Sequence, residues 1–233
     1  MISMRFSALL LLIGTAAFAA DPSTGKVLAF SDDFNGDKID ETKWGFTGSR
    51  ELFSIVKIGK FSVARIGLKM GTDMIQVNSL STRGKFSQQY GYFEASMRMN
   101  AHEGHAGTLR IISDDEKTPP ALTAAFHSQG KDLIIPWGRG LTEAGMQDFR
   151  PDRNAPLKTS DAAKRFHTYG VLWTEKSYSW LIDGRVVHKL DRKEYVRPMH
   201  VVLSHRILEE DRPKLVLKTL PDDVDIDWVK VWK

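Results

Sequence analysis

The stretch Tyr90-Gly91-Tyr92-Phe93-Glu94-Ala95-Ser96-Met97-Arg98-Met99 decides the fold class. Alternate residues share one face of a strand. Gly91, Phe93, Ala95, Met97 and Met99 therefore form a small-and-apolar face, and Tyr90, Tyr92, Glu94, Ser96 and Arg98 form the opposite one. The first face is expected to pack on a core, and the second to meet solvent or ligand.

Working outward, Tyr178 to Ile182 and Arg185 to Leu190 read as two strands joined by Asp183-Gly184, the pair favoured in a two-residue type I′ hairpin. Val224 to Trp232 alternates Asp225 and Asp227 against Val224, Ile226 and Trp228, so the C-terminus reads as a strand too. Trp44, Trp173 and Trp228 are assigned to the core. Helical periodicity is confined to Ser160 to Arg165. Short alternating segments broken by turn residues indicate an all-β sandwich of antiparallel sheets.

Composition narrows the function classes. Met1 to Ala20 carries one basic residue, Arg5, then an apolar run from Phe6 to Phe18 and small residues at Ala17 and Ala19. This is the pattern of a cleaved signal peptide, and the run is too short to span a membrane comfortably. Residues 1–20 are thus expected to be a signal peptide, residues 21–233 one domain, and the location secreted or periplasmic. With no cysteine, burial rather than disulfides must hold the fold. The net charge is +4, and its basic residues are scattered rather than gathered with aromatics. That argues against a nucleic-acid groove and is compatible with an acidic polysaccharide as partner.

Four segments in order resemble glycoside hydrolase family 16, the laminarinases, lichenases and related endo-acting enzymes. They are Phe30 to Gly36 with Lys43-Trp44, then Gln89 to Ala95, then Phe166 to Trp173 with Trp180 to Gly184, and lastly Asp225 to Trp232. The resemblance implies a concanavalin A-like β-jelly-roll sandwich with a concave cleft that takes a β-glucan, galactan or acidic glycan.

The same resemblance implies retaining hydrolysis by two carboxylates about 5–5.5 Å apart on one cleft strand. Here that strand falls on Pro119 to Asp132, which holds no glutamate and one aspartate, at its end. Alignment on Gly130-Lys131-Asp132 puts Thr123, Ala125 and His127 at the carboxylate places. Alignment on Pro120 puts Ala121, Thr123 and either Ala125 or Phe126 there. Neither register supplies a nucleophile and an acid, so no catalytic residue is assigned. The expected function is a carbohydrate-binding protein on a degenerate hydrolase scaffold, with a hydrolase using relocated acids as the alternative.

Candidate binding residues follow from side-chain chemistry. Trp137 is the first choice for stacking on a sugar ring, with Tyr90, Tyr92 and Phe149 behind it. His127 is a candidate groove residue, and Arg98, Arg110 and Arg139 are candidate anion contacts. Glu94 corresponds to a family glutamate outside the catalytic pair. Asp114-Asp115-Glu116 reads as a solvated turn, and His102 and His105 flanking Glu103 lack the second cluster that zinc needs. Asp227 stands where some relatives bind structural calcium, which makes it the candidate metal ligand.

Overall fold

A computed structural model describes residues 21–69, 77–99, 102, 104–113, 121–128, 132–134, 162–191, 197–207, 213 and 215–233. For residues 105, 121–128 and 132–134 it gives backbone and pairing only. The expected signal peptide lies outside the described residues.

The strands in chain order are β1 (Leu28–Asp32), β2 (Gly45–Thr47), β3 (Phe53–Ile58), β4 (Phe61–Leu68), β5 (Val77–Ser81), β6 (Gly91–Arg98) and β7 (His105–Ser113). There follow β8 (Ala121–Ser128), β9 (Asp132–Ile134), β10 (His167–Trp173), β11 (Tyr178–Ile182), β12 (Arg185–Leu190), β13 (Met199–Ile207) and β14 (Asp222–Trp232). They form two antiparallel sheets. The first runs β12-β11-β10-β6-β14-β4-β3, with β1 also on β14, and the second runs β2-β5-β13-β7-β8-β9. This is the expected jelly roll.

The core lies between the sheets. Phe93, Ala95, Met97 and Met99 from the first sheet meet Leu109, Ile111, Val201 and Leu203 from the second. The alternation read along β6 therefore holds from Phe93 onward. Tyr90 departs from it. Its φ of 62° turns the ring onto Trp173, at 5.0 Å between centroids, and it packs against the core.

The opposite face of β6 is closed rather than open. Tyr92 is buried, stacked on Trp232 at 5.4 Å, and its hydroxyl donates to Glu94 Oε1 at 2.7 Å. Room for that ring comes from Gly170, where a Cβ would come within 2.7 Å of the Tyr92 ring. Gly91 is fixed by its φ of 120° and by the Trp232 carbonyl against it. The Asp183-Gly184 hairpin has φ of 48° and 72°, the two left-handed residues that a type I′ turn requires.

One core assignment needs correction. A bulge between Ile226 and Trp228 shifts the register of β14, so that Val229 and Val231 enter the core while Trp228 pairs with Ser96. Trp228 is only partly buried, with Lys230 Nζ 4.5 Å from its ring centroid. Trp44 and Trp173 are in the core as expected.

Candidate functional site

The strand expected to carry the chemistry is β8, and its pairing with β7 fixes which positions share a face. On β7, Leu109 and Ile111 belong to the core, so Thr108, Arg110 and Ile112 lie on the face away from it. The ladder pairs Ile112 with Ala121, Arg110 with Thr123, Leu109 with Ala125 and Thr108 with Phe126. Between the Leu109 pair and the Arg110 pair the register shifts, leaving Ala124 as the extra residue of a β-bulge. Positions 121, 123 and 126 thus fall in register with the three β7 residues facing away from the core.

The alignment built on Gly130-Lys131-Asp132 takes its three positions from both faces of β8, since Thr123 is in register with Arg110. Ala125 and His127 are in register with Leu109 and Gly107, which are core-side positions; a Cβ at Gly107 would meet Val224 and Met99. Ala121, Thr123 and Phe126 are the set that shares a face. None of these is a carboxylate.

Rows of paired residues run across the second sheet on this face. One crosses all six strands through Thr47, Ser79, Ser204, Thr108, Phe126 and Ile134. Its central pair is fully buried, with Thr108 Oγ1 and Ser204 Oγ at 2.5 Å. On one side lies the row Gly45, Ser81, Val202, Arg110 and Thr123. On the other lies Val77, Arg206, Ala106, Ser128 and Asp132.

Two cations therefore flank a strip of hydroxyls. Arg110 and Arg206 are both partly exposed. Burial of the Arg110 guanidinium, reinforced by the charge of Arg206, pulls its pKa down to about 10, so it remains cationic at neutral pH. Its Nε is buried with no hydrogen-bond partner among the described residues. The sequence marks Arg110 as one of three candidate anion contacts without settling its orientation, and it does not single out Arg206. Alternation along Met199 to Ile207, with Val201 and Leu203 as core residues, is the signal that could have found it.

Tyr90, Tyr92 and Arg98 are not brought to this face. All three belong to the first sheet or its entry, across the core from β8. Glu94 accompanies them, its carboxyl raised by burial. Arg98 instead completes a charge cluster: both Arg98 and Arg65 bind the buried carboxylate of Asp225, with Arg65 Nε at 2.7 Å. Together with His102, Asp222 and Asp223 they line a cavity of about 340 Å³. His102 Nδ1 is 3.6 Å from Asp222 Oδ2.

Asp227 sits in the β14 bulge, where burial raises its carboxyl and Ser96 Oγ donates to it at 3.3 Å. Among the described residues no three His, Cys, Asp or Glu side chains converge as a metal site. Calcium takes six to eight oxygens. Among the described residues the side chains around Asp227 do not make such a set. Trp137, Arg139, Phe149, Glu103 and residues 114–116 lie outside the described residues.

The sequence pattern described as Glycosyl hydrolases family 16 matches residues 137–230. The chain is thus similar to this family over its C-terminal part. The family match begins beyond β8, so it does not include the strand that lacks the carboxylates. Among curated relatives, the Endo-1,3-1,4-beta-glycanase ExsH of Rhizobium meliloti is 28% identical over 127 residues, 54% of this chain. The chain covers 26% of the length of that relative. A Beta-glucanase of Rhodothermus marinus is 22% identical over 84% of this chain and 78% of its own length. Solved structures of the family share the fold. The laminarinase from Rhodothermus marinus superimposes with a TM-score of 0.73 at 16% identity, covering 89% of this chain and 97% of the other. The laminarinase from Flavobacterium sp. UMI-01 gives 0.73 at 17% identity over 89% of this chain and 100% of its own.

Proposed function

We propose that this family 16-like chain is an exported carbohydrate-binding protein that holds a polysaccharide on the β2-β5-β13-β7-β8-β9 sheet without hydrolysing it. The observation that supports this reading is the register of β8: Ala121, Thr123 and Phe126 pair with the β7 residues that face away from the core, and none of the three is a carboxylate. Retaining hydrolysis needs a nucleophile and an acid together, because one must attack while the other protonates the leaving oxygen. Binding needs neither. The partly exposed Arg110 and Arg206, with exposed Thr47 at the edge of the same face, offer polar contacts to sugar hydroxyls.

The relatives named as glucanases make β-glucan the first ligand to try, with galactans and acidic glycans beside it. A second reading, hydrolysis by a relocated acid, has one observation in its favour: Asp132 is in register with Ser128, in the row of Arg206. A single carboxylate lacks the partner that the reaction requires.

Both readings are separated by one experiment. The mature protein is incubated with laminarin, mixed-linkage glucan, agarose and carrageenan; retention in affinity gels is compared with release of reducing ends. Retention without new reducing ends is expected. Turnover by the wild type that is lost in Asp132→Asn would establish the second reading. Mass spectrometry of the exported protein, expected to lack the signal peptide, checks the processing.

A further inference from the structure

The centre of the β7–β8 face carries an electrostatic problem that the described residues leave open. Arg110 stands in the row of position 123, the middle of the three emptied carboxylate places, and its buried Nε has no hydrogen-bond partner among the described residues. Arg206 adds a second positive charge on the same face, two rows away, about 13 Å along the strand. Between them the Thr108 and Ser204 hydroxyls satisfy each other.

A guanidinium whose buried Nε finds no acceptor among the described residues is costly, and a like charge nearby adds to the cost. Burial and the field of Arg206 both act on Arg110 in that direction. On β2, β5, β13 and β7 no residue of the three rows is acidic; Asp132 stands at the far edge of the sheet, in the row of Arg206 rather than that of Arg110. An incoming anion would remove the cost by supplying the missing acceptor, and the planar fork of arginine suits two-pronged contact with carboxylate or sulfate oxygens. A neutral hydroxyl would satisfy the hydrogen bond but not the charge.

We infer that the middle of this face is a subsite for an anionic substituent on a sugar chain, a sulfate ester or a uronate carboxylate, held by Arg110 with Arg206 as the flanking charge. The inference rests on the glycan-binding reading above and names the ligand class for it. Loss of the family's carboxylates and gain of the anion subsite are then one change: with acids at 121, 123 and 126 the face would repel such a chain, and without them Arg110 governs it.

The test titrates the mature wild type, Arg110→Gln and Arg110→Lys with three oligosaccharides of matched length: laminarin (neutral), carrageenan (sulfated) and polygalacturonate (carboxylated). At low salt the wild type is expected to bind at least one anionic ligand about tenfold or more tighter than the neutral one. Arg110→Gln should lose that preference while its affinity for laminarin stays within about twofold; Arg110→Lys should keep part of it. The preference should shrink as salt is raised. Sulfate alone binding tighter assigns the subsite to sulfate esters, and polygalacturonate alone assigns it to uronates. Because the glutamine variant removes a desolvated charge, its melting temperature should hold or rise. Equal or tighter laminarin binding by the wild type, or unchanged anionic affinity in a folded Arg110→Gln, overturns the inference and leaves the glycan-binding reading standing. If no glycan binds, that reading falls, and the subsite is judged with inorganic sulfate. A rise in wild-type melting temperature exceeding that of Arg110→Gln retains it, since general salt effects are common to both; equal rises remove it.

Discussion

Trp44 Nε1 donates a hydrogen bond of 2.7 Å to Asp32 Oδ2, tying the end of β1 to the loop that leads into β2. The other oxygen of Asp32 accepts the backbone N–H of Phe34 at 3.0 Å, which holds Phe34 at its left-handed φ of 50°. All three residues are buried, and Phe34 and Trp44 pack ring to ring at 5.7 Å. One carboxylate therefore closes the corner where the opening strand meets the core. Asp32→Ala leaves two buried donors without acceptors and should cost about 2–4 kcal/mol in a urea titration. A loss below about 1 kcal/mol would mean that water replaces the carboxylate.

The bulge in β14 gives two tryptophans of similar sequence context opposite standing. Trp173 is almost wholly buried between Tyr90 and Phe93, and Trp173→Ala should cost about 3–5 kcal/mol. Trp228, turned outward beside Lys230, should cost about 1 kcal/mol or less when replaced by alanine. Chemical unfolding of the two variants checks the order; equal costs would contradict the register around Asp227.

These bulges mark where the sequence stops being legible. Alternation gives the faces of β6 from Phe93 to Met99, and Asp183-Gly184 gives its hairpin, because both signals are local. A bulge adds one residue and reverses every face beyond it, and no residue type announces it. Alternation misplaces Trp228 for this reason, and it leaves the choice between His127 and Phe126 in β8 open for the same one. Sheet membership is a different kind of information. Tyr92 and Arg98 look like cleft residues because their face of β6 is polar, yet that face meets Trp232 and Asp225 on neighbouring β14. Arg110 is recognisable as a candidate for anion contact, but its orientation needs the β7–β13 and β7–β8 ladders.

Asp222 should make stability depend on pH in the opposite sense to an ordinary salt-bridged carboxylate. Burial pushes its pKa up to about 6, against the attraction of His102 and with added repulsion from Asp223. His205 Nε2 lies 3.7 Å away, and Arg65 and Arg98 line the same cavity. An acid whose folded pKa is raised keeps its proton in the folded state while the unfolded chain releases it. The folded state is thus penalised as pH rises from about 4, the unfolded value, through about 6. Asp222→Asn cannot titrate. Its stability relative to wild type should be lowest near pH 4, rise to about pH 6–7 and then level off. Repeating the series in a His102→Gln background removes the neighbouring imidazole and isolates the carboxyl. A flat difference between about pH 4 and 8 would show that the carboxyl keeps its ordinary pKa.

Restoring a single acid tests the face most directly. Thr123 is the register partner of Arg110, and directly opposed residues of an antiparallel ladder have Cβ atoms about 4.5–5.5 Å apart. Thr123→Asp therefore introduces a carboxylate within reach of a guanidinium whose Nε lacks a partner among the described residues. Pairing them should relieve the desolvated charge and raise the melting temperature by a few degrees, the scale of about 1 kcal/mol for a chain of this size. It should also occupy the anion subsite, so that affinity for charged oligosaccharides falls about as far as in Arg110→Gln while laminarin binding is retained. No hydrolysis is expected, because position 126 still offers no acid and position 121 no nucleophile. In the double variant Thr123→Asp/Arg110→Gln the stabilisation should disappear, since the new carboxylate then faces an amide. A rise that survives loss of Arg110 would mean that the aspartate found another partner, and the paired register of β7 and β8 at this point would be refuted.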